Sequence, residues 1–259
     1  MKKRIIAMLL VLTMAVALAA CGSSTANTEK TWKDELGTAG KLRVGMAADY
    51  PPYESYDAKG NVVGFDADMA KIIADGLGVE LEIVPMEFDT IISAVSAGTV
   101  DMGISCFSYN EERAKSVLFS DTYMTSAQAC FSSTAYGIDS MEALAGGIVG
   151  AGNGTTGYDV AEALKDQYGF TPQVGEIAVM TESLRSGAMQ AIITELCVAQ
   201  SYIDANPGEY QMLADDLSVE EIKAITNLKN TELNAKVNEI IAATMAEDSY
   251  NDLIVSWFG

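Results

Sequence analysis

A cation in an acidic chain stands where it could hold an anion. The stretch VDMGISCFSYNEERAKSVLFSDTY, residues 100–123, begins as a buried strand over 100–105 and breaks into a polar turn. It then presents Arg113 at the start of a short helix. A planar guanidinium fits a carboxylate bidentately, and Ser108 adds a hydroxyl donor. The other reading is a solvated helix start, with Glu111 and Glu112 on the helix dipole and Arg113 facing water; on this stretch alone it is the favoured one. A second anion candidate is Gly152-Asn153-Gly154-Thr155-Thr156-Gly157, where successive N–H groups open a helix and Thr155 or Thr156 adds a hydroxyl. It lacks the Lys-Ser/Thr ending of a Walker loop, which argues against a nucleotide, and a plain tight turn would look the same. Glu195 follows the apolar run 191–193 and so closes a strand, where a carboxylate can hold an ammonium group or serve as a helix-start acid. Tyr50-Pro51-Pro52-Tyr53 is either a rigid aromatic wall or a rigid turn with a packed Tyr.

Composition narrows the chemistry. The 259 residues carry 36 acids against 16 Lys and Arg, a net charge of −20, so nucleic acid and anionic membrane surfaces are poor partners. Histidine is absent from the sequence, which removes the commonest general base and metal ligand. Cys21, Cys106, Cys130 and Cys197 are widely spaced with no C-x-x-C pair, so no metal site is expected. Setting Cys21 aside, the other three are expected as buried free thiols. A hydrophobic content of 49% with 20% charge describes an ordinary globular chain, long enough for one large or two medium domains.

The elements that must position these residues alternate. A strand at 41–46 leads through a loop over 47–60 to a helix at 66–77, with Met69, Ile72, Ile73 and Leu77 at helical spacing and Gly78 as its stop. A strand at 81–84, a helix at 89–97 ended by Gly98, and the strand at 100–105 follow. Short connections make this a parallel sheet with crossover helices, whose ligands sit at the carboxyl ends of strands. From about residue 123 the alternation repeats: strands at 147–150, 173–177 and 189–193, and helices at about 155–168 and 195–205. A strand at 209–213 follows, 220–226 returns to the first half, and helices at 232–246 and 248–257 close the chain.

Lys2, Lys3 and Arg4 precede an apolar run over 5–18 that ends in Leu18-Ala19-Ala20-Cys21. This reads as a secretory signal rather than as a membrane span, and its Leu-Ala-Ala-Cys end resembles the bacterial lipobox, which implies a diacylated Cys21. Residues 22–40, rich in Ser, Thr, Asn and Lys, read as a flexible tether.

Taken together, YPPY, GFDADMAKIIADGLG, MEFDTIISAVSAGTVDMGIS, NEER, SVLFSDTY, GNGTTG and SYNDLIVSWFG resemble the family 3 extracytoplasmic solute-binding proteins, the receptors of polar amino-acid ABC importers. The resemblance spans about residues 41–259. It implies an α/β, two-lobe periplasmic-binding-protein-like (type II) fold with two hinge crossings. Residues 41–126 and 220–259 would form lobe 1 and residues 127–219 lobe 2. It implies that Arg113, Thr156 and Ser108 grip a ligand α-carboxylate, that Glu195 and the Cys106 carbonyl take the α-amino group, and that Tyr50 and Phe88 flank the side chain. Family members for basic ligands often carry an Asp where this chain has Ala47, so a neutral or polar L-amino acid is expected. The implied protein is a monomer, lipid-anchored through Cys21 outside the cytoplasm. It would be partnered by an ABC permease and ATPase, without metal, organic cofactor or enzymatic activity. Two rivals share the scaffold. One is a cyclohexadienyl-dehydratase-like enzyme with Glu195 as general acid; the other is a sensory protein that presents ligand to a receptor.

Overall fold

The computed structural model describes residues 30–259; the expected signal peptide, lipobox and lipidated Cys21 lie outside the described residues. Strand Lys41–Met46 buries Leu42, Val44 and Met46 on one face and runs parallel to Glu80–Pro85 on one side and Met102–Gly103 on the other. Helix α1 (Phe65–Leu77) and helix α2 (Phe88–Ala97) are the crossovers between them. Both end where Gly78 and Gly98 enter the left-handed region, at φ 68° and 74°. Strand Ile225–Asn227 returns late in the chain and pairs antiparallel with both Met102–Gly103 and Val117–Phe119, which completes a five-stranded sheet.

The second lobe repeats this plan. Ile148–Ala151 runs parallel to Thr171–Val174 and Ala191–Glu195, and Gln128–Ser133 pairs antiparallel with Ala191–Glu195 and Tyr210–Ala214. Its helices are α3 (Thr156–Tyr168), α4 (Ile177–Ser186) and α5 (Leu196–Ala205). The chain crosses between the sheets twice, at Met124–Ser126 and Glu220–Ile222, and these two segments pair antiparallel with each other. Helices α6 (Thr231–Met245) and α7 (Asp248–Phe258) then pack back on the first lobe.

In lobe 2 the strand expected at 173–177 lies at Thr171–Val174 and Ile177 instead opens α4; in and around lobe 1 three further expectations change. The loop at 47–60 contains two short strands, Asp49–Tyr50 and Glu54–Tyr56, which with Val62–Val63 make an antiparallel meander. The helix beginning at Arg113 is a single 3-10 turn, Arg113–Lys115. The expected tether is ordered over its last part. Trp32–Glu35 is a 3-10 helix whose buried Glu35 accepts the Leu233 N–H (2.7 Å), and Gly37 N–H donates to Asp101 (2.8 Å). These bonds fix residues 31–40 to lobe 1, because Glu35 satisfies an N–H in the first turn of α6 that would otherwise lack a partner.

Candidate functional site

Residues that follow the strands of the two sheets face one another across a cleft of about 390 Å³, a size suited to a small molecule. The structure brings Tyr50, Phe88, Cys106, Ser108, Arg113, Thr156 and Glu195 together on its walls.

Arg113 is buried, not solvated. Its backbone N–H donates to Asn110 Oδ1 (2.7 Å), which closes the polar turn and turns the side chain inward. Nη1 donates to the Ser108 carbonyl (2.7 Å), and Nη2 reaches across the cleft to the Gly154 carbonyl (2.8 Å). The guanidinium carbon lies over the rings of Phe88 and Phe107, 5.5 and 5.6 Å from their centroids, and those rings stack on each other. Phe88 therefore supports the arginine from below. Burial pulls the guanidinium below its ordinary value, while the charges of Asp159 and Glu220 work the other way; an arginine there remains a cation. Among the described residues it forms no ion pair. A buried cation held only by carbonyls and rings, with N–H groups to spare, can accept an anion.

Thr155, not Thr156, caps α3: its Oγ1 accepts the Tyr158 N–H. Thr156 opens the helix, and its Oγ1 lies 3.4 Å from Ser108 Oγ and 3.1 Å from Glu220 Oε2 while accepting from Gln128 Nε2 (3.2 Å). The two hydroxyls expected at the anion end thus face each other from opposite lobes.

Glu195 ends its strand and is 1% exposed. Oε2 accepts the Cys197 N–H (2.8 Å) and caps α5, whereas Oε1 is buried with no hydrogen-bond partner among the described residues. The helix-start reading holds for one oxygen, and the other is free to accept a donor. Burial pushes its carboxyl up to about 7 against the opposing pull of the Ser126 hydroxyl and the Cys197 N–H.

Tyr50 does more than flank. Its hydroxyl shares a 2.6 Å hydrogen bond with Thr194 Oγ1 and accepts the Glu195 N–H (3.1 Å), so it ties lobe 1 to the strand end that carries the acid. Cys106 has φ 49°, a conformation that suits glycine, and its N–H donates to Asp66 Oδ2 (2.5 Å). Its side chain is buried and burial raises its thiol. Cys106, Cys130 and Cys197 are free thiols, Cys130 fully buried and Cys197 half-buried.

Residues 42–259 match the profile of the bacterial extracellular solute-binding proteins, family 3. The chain belongs to that family. The arginine-binding extracellular protein ArtP of Bacillus subtilis (strain 168) is 32% identical over 258 residues, which is 99% of this chain and 98% of the relative. Among solved structures, an ancestral arginine-binding protein bound to arginine superposes with a TM-score of 0.80 at 33% identity, covering 85% of this chain and 99% of its own. The ancestral amino acid-binding protein AncCDT-1, a precursor of cyclohexadienyl dehydratase, does so with a TM-score of 0.77 at 31% identity, covering 85% and 96%.

In this family 3 protein the cleft also holds acids that the sequence reading passed over. Asp49, Glu54 and Glu176 line it, and Asp89 at its rim accepts a hydrogen bond from Asn153 Nδ2 (2.7 Å) of the other lobe. Glu54 is 1% exposed; Oε1 accepts the Ser105 hydroxyl (2.7 Å), and the buried Oε2 has no N–H or O–H donor among the described residues. Arg113 is the one cationic side chain among the described residues that line the cleft. The available signal for Glu54 was its place directly after Tyr50-Pro51-Pro52-Tyr53, in a loop whose residues reach the carboxyl ends of the strands.

Proposed function

We propose that this chain is the extracytoplasmic receptor of an amino-acid ABC importer and takes a free L-amino acid between its lobes. The observation that carries this reading is the pairing of an ion-unpaired, buried Arg113 with a buried Glu195 that keeps one oxygen unsatisfied. A zwitterion satisfies both at once: its carboxylate meets Arg113, Ser108 and Thr156, and its ammonium meets Glu195 and the Cys106 carbonyl. Either charge left alone in a closed cleft would be unfavourable by several kcal/mol.

The side-chain end favours a cation over the neutral or polar group expected from Ala47. The Ala47 N–H donates to Ser105 Oγ (3.0 Å), and Ser105 Oγ donates to Glu54. Glu54 thereby delivers a carboxyl to the wall that Ala47 leaves blank, and Asp49 and Glu176 add charge beside it. The similarity to arginine-binding proteins supports the same choice. A lipid anchor at Cys21, a permease and ATPase as partners, and a monomeric receptor without catalytic turnover complete the proposal. Ligand would shift the protein towards its closed form, which docks on the permease. A thermal-shift screen against the common L-amino acids tests it. A shift confined to Arg, Lys or their close analogues is expected, since ligand at about 100 times Kd adds about 2.7 kcal/mol. A shift with neutral amino acids alone would move the side-chain assignment to the neutral or polar class.

One observation favours the enzymatic rival. A buried carboxyl raised to about 7, with a free oxygen in the cleft, is poised as a general acid. AncCDT-1, to which the chain is similar, is itself an amino acid-binding protein and a precursor of such an enzyme. Loss of a cyclic dienyl acid on incubation with the protein, abolished in Glu195→Gln, would establish it.

A further inference from the structure

Two buried carboxyls adjoin in lobe 1, one of them, Glu54, on the cleft wall. Glu54, on strand Glu54–Tyr56, is 1% exposed, and Asp66, in the first turn of α1, is fully buried. Asp66 is well supplied with donors: Oδ2 accepts the Cys106 N–H (2.5 Å) and Oδ1 accepts the Tyr123 hydroxyl (2.8 Å). Glu54 is half supplied, with Ser105 on Oε1 and neither an N–H nor an O–H on the buried Oε2. The contact between the two carboxyls is a hydrogen bond only while one of them keeps its proton.

The groups facing the pair do not neutralise it. Asp49 adds negative charge to Glu54 from the neighbouring strand, and Ser105 contributes a hydroxyl. Tyr123, from the entry to the first crossing, and Tyr250 of α7 face Asp66 as neutral phenols. Cys106 stands beside both acids and beside Glu195 as a neutral thiol. Burial raises both carboxyls, and the Asp66 charge raises Glu54 further. Two donors hold Asp66 as the anion, so the proton resides on Glu54.

We infer that the protein without ligand carries one proton on the Glu54–Asp66 pair, and that a cationic ligand side chain displaces it into solvent on entering the cleft. The balance is simple: the ligand brings one positive charge, one proton leaves, and the pair changes from one negative charge to two. An uncharged amide side chain gives no reason for the proton to leave and meets Glu54 as a neutral hydrogen-bonding carboxyl. The site thus distinguishes the two ligand classes by one proton. This inference rests on the cleft being the amino-acid site.

The test is calorimetry of the full chain at pH 7 with L-arginine and with L-glutamine, each in buffers of low and high ionisation enthalpy. Both ligands carry an α-ammonium, so protons released from Glu195 cancel between them. Arginine is expected to release about one proton more than glutamine. Glu54→Gln should abolish that excess and Glu54→Asp should keep it. Infrared difference spectra of the parent should lose a carboxylic-acid C=O band on adding arginine and retain it with glutamine; this readout stands even where a variant fails to fold. Equal proton release for the two ligands, or an excess that survives in Glu54→Gln, would overturn the inference while leaving the receptor reading intact. Binding of glutamine without binding of arginine or lysine would overturn it together with the cationic reading of the cleft. Silence with every amino acid would remove the receptor reading itself.

Discussion

Lobe 1 holds two arginines at opposite ends of the strand Met102–Gly103, and they are finished differently. Arg43 meets Asp101, just before that strand, with Nη2 on Oδ1 (2.8 Å) and Nε on Oδ2 (3.1 Å). Its remaining donors reach the Thr99 and Gly98 carbonyls (2.6 and 3.1 Å). Asp101 raises the Arg43 guanidinium above its ordinary value, whereas burial lowers that of Arg113. Arg113 lies in the turn after the strand and has carbonyls and rings but no carboxylate among the described residues. An arginine whose carboxylate is built into the chain is part of the scaffold. One without a built-in carboxylate is, on the proposed reading, a binding site.

Substitution should separate the two. Arg113→Ala is expected to weaken amino-acid binding by about 2–5 kcal/mol, roughly 30- to 5,000-fold, with little loss of folding stability. Arg43→Ala is expected to do the reverse: about 3 kcal/mol of stability lost, because Asp101 is left as a buried charge, with affinity changed less than about threefold. Calorimetry paired with urea unfolding reads both. Similar losses of affinity in the two variants would erase the distinction.

The acid at the other end sharpens the comparison. Glu195 ordinarily titrates near 4.5 and is raised to about 7 in the folded protein. Between those values the folded state binds a proton that the unfolded chain has released, so the parent without ligand loses stability as pH rises from about 4.5 to about 7 and is flat above. Glu195→Gln removes that dependence. At pH 8 the variant should be the more stable by up to about 3 kcal/mol, and at pH 4.5 the difference should vanish. A parent whose stability rises across that interval, with other acids accounted for by the variant, would contradict the burial of an unpaired carboxyl. The smallest effect belongs to Tyr50→Phe. Loss of the bridge to Thr194 and the Glu195 N–H should cost about 1 kcal/mol and appear mainly as a faster ligand off-rate.

Much of the scaffold was legible because its signals are local. Met69, Ile73 and Leu77 are buried at helical spacing, and Gly78 and Gly98 stop α1 and α2 where the pattern ends. Arg113 was ambiguous from its own neighbours, since what decides it is the Gly154 carbonyl 41 residues away and two rings reached through tertiary packing. Glu54 was missed for the same reason: Ser105, its partner, lies 51 residues on and becomes its neighbour only when two separate sheets pack together. The order at residues 31–40 likewise depends on Glu35 reaching Leu233, a contact that no periodicity announces. Ala47 by itself pointed to a neutral or polar ligand, because the Glu54 carboxyl reaches the same wall from the separate strand Glu54–Tyr56 and leaves no mark near position 47.

The most direct test of the central claim is a cycle of two proteins and two ligands: the parent and Arg113→Ala, each titrated calorimetrically with L-arginine and with agmatine, which lacks only the α-carboxylate. If the ligand carboxylate sits on Arg113, agmatine binds the parent far more weakly than arginine does, by about 2–5 kcal/mol, and Arg113→Ala binds the two about equally. If the variant still prefers arginine to agmatine by the parent's full margin, the carboxylate is held elsewhere and Arg113 is not the anion socket.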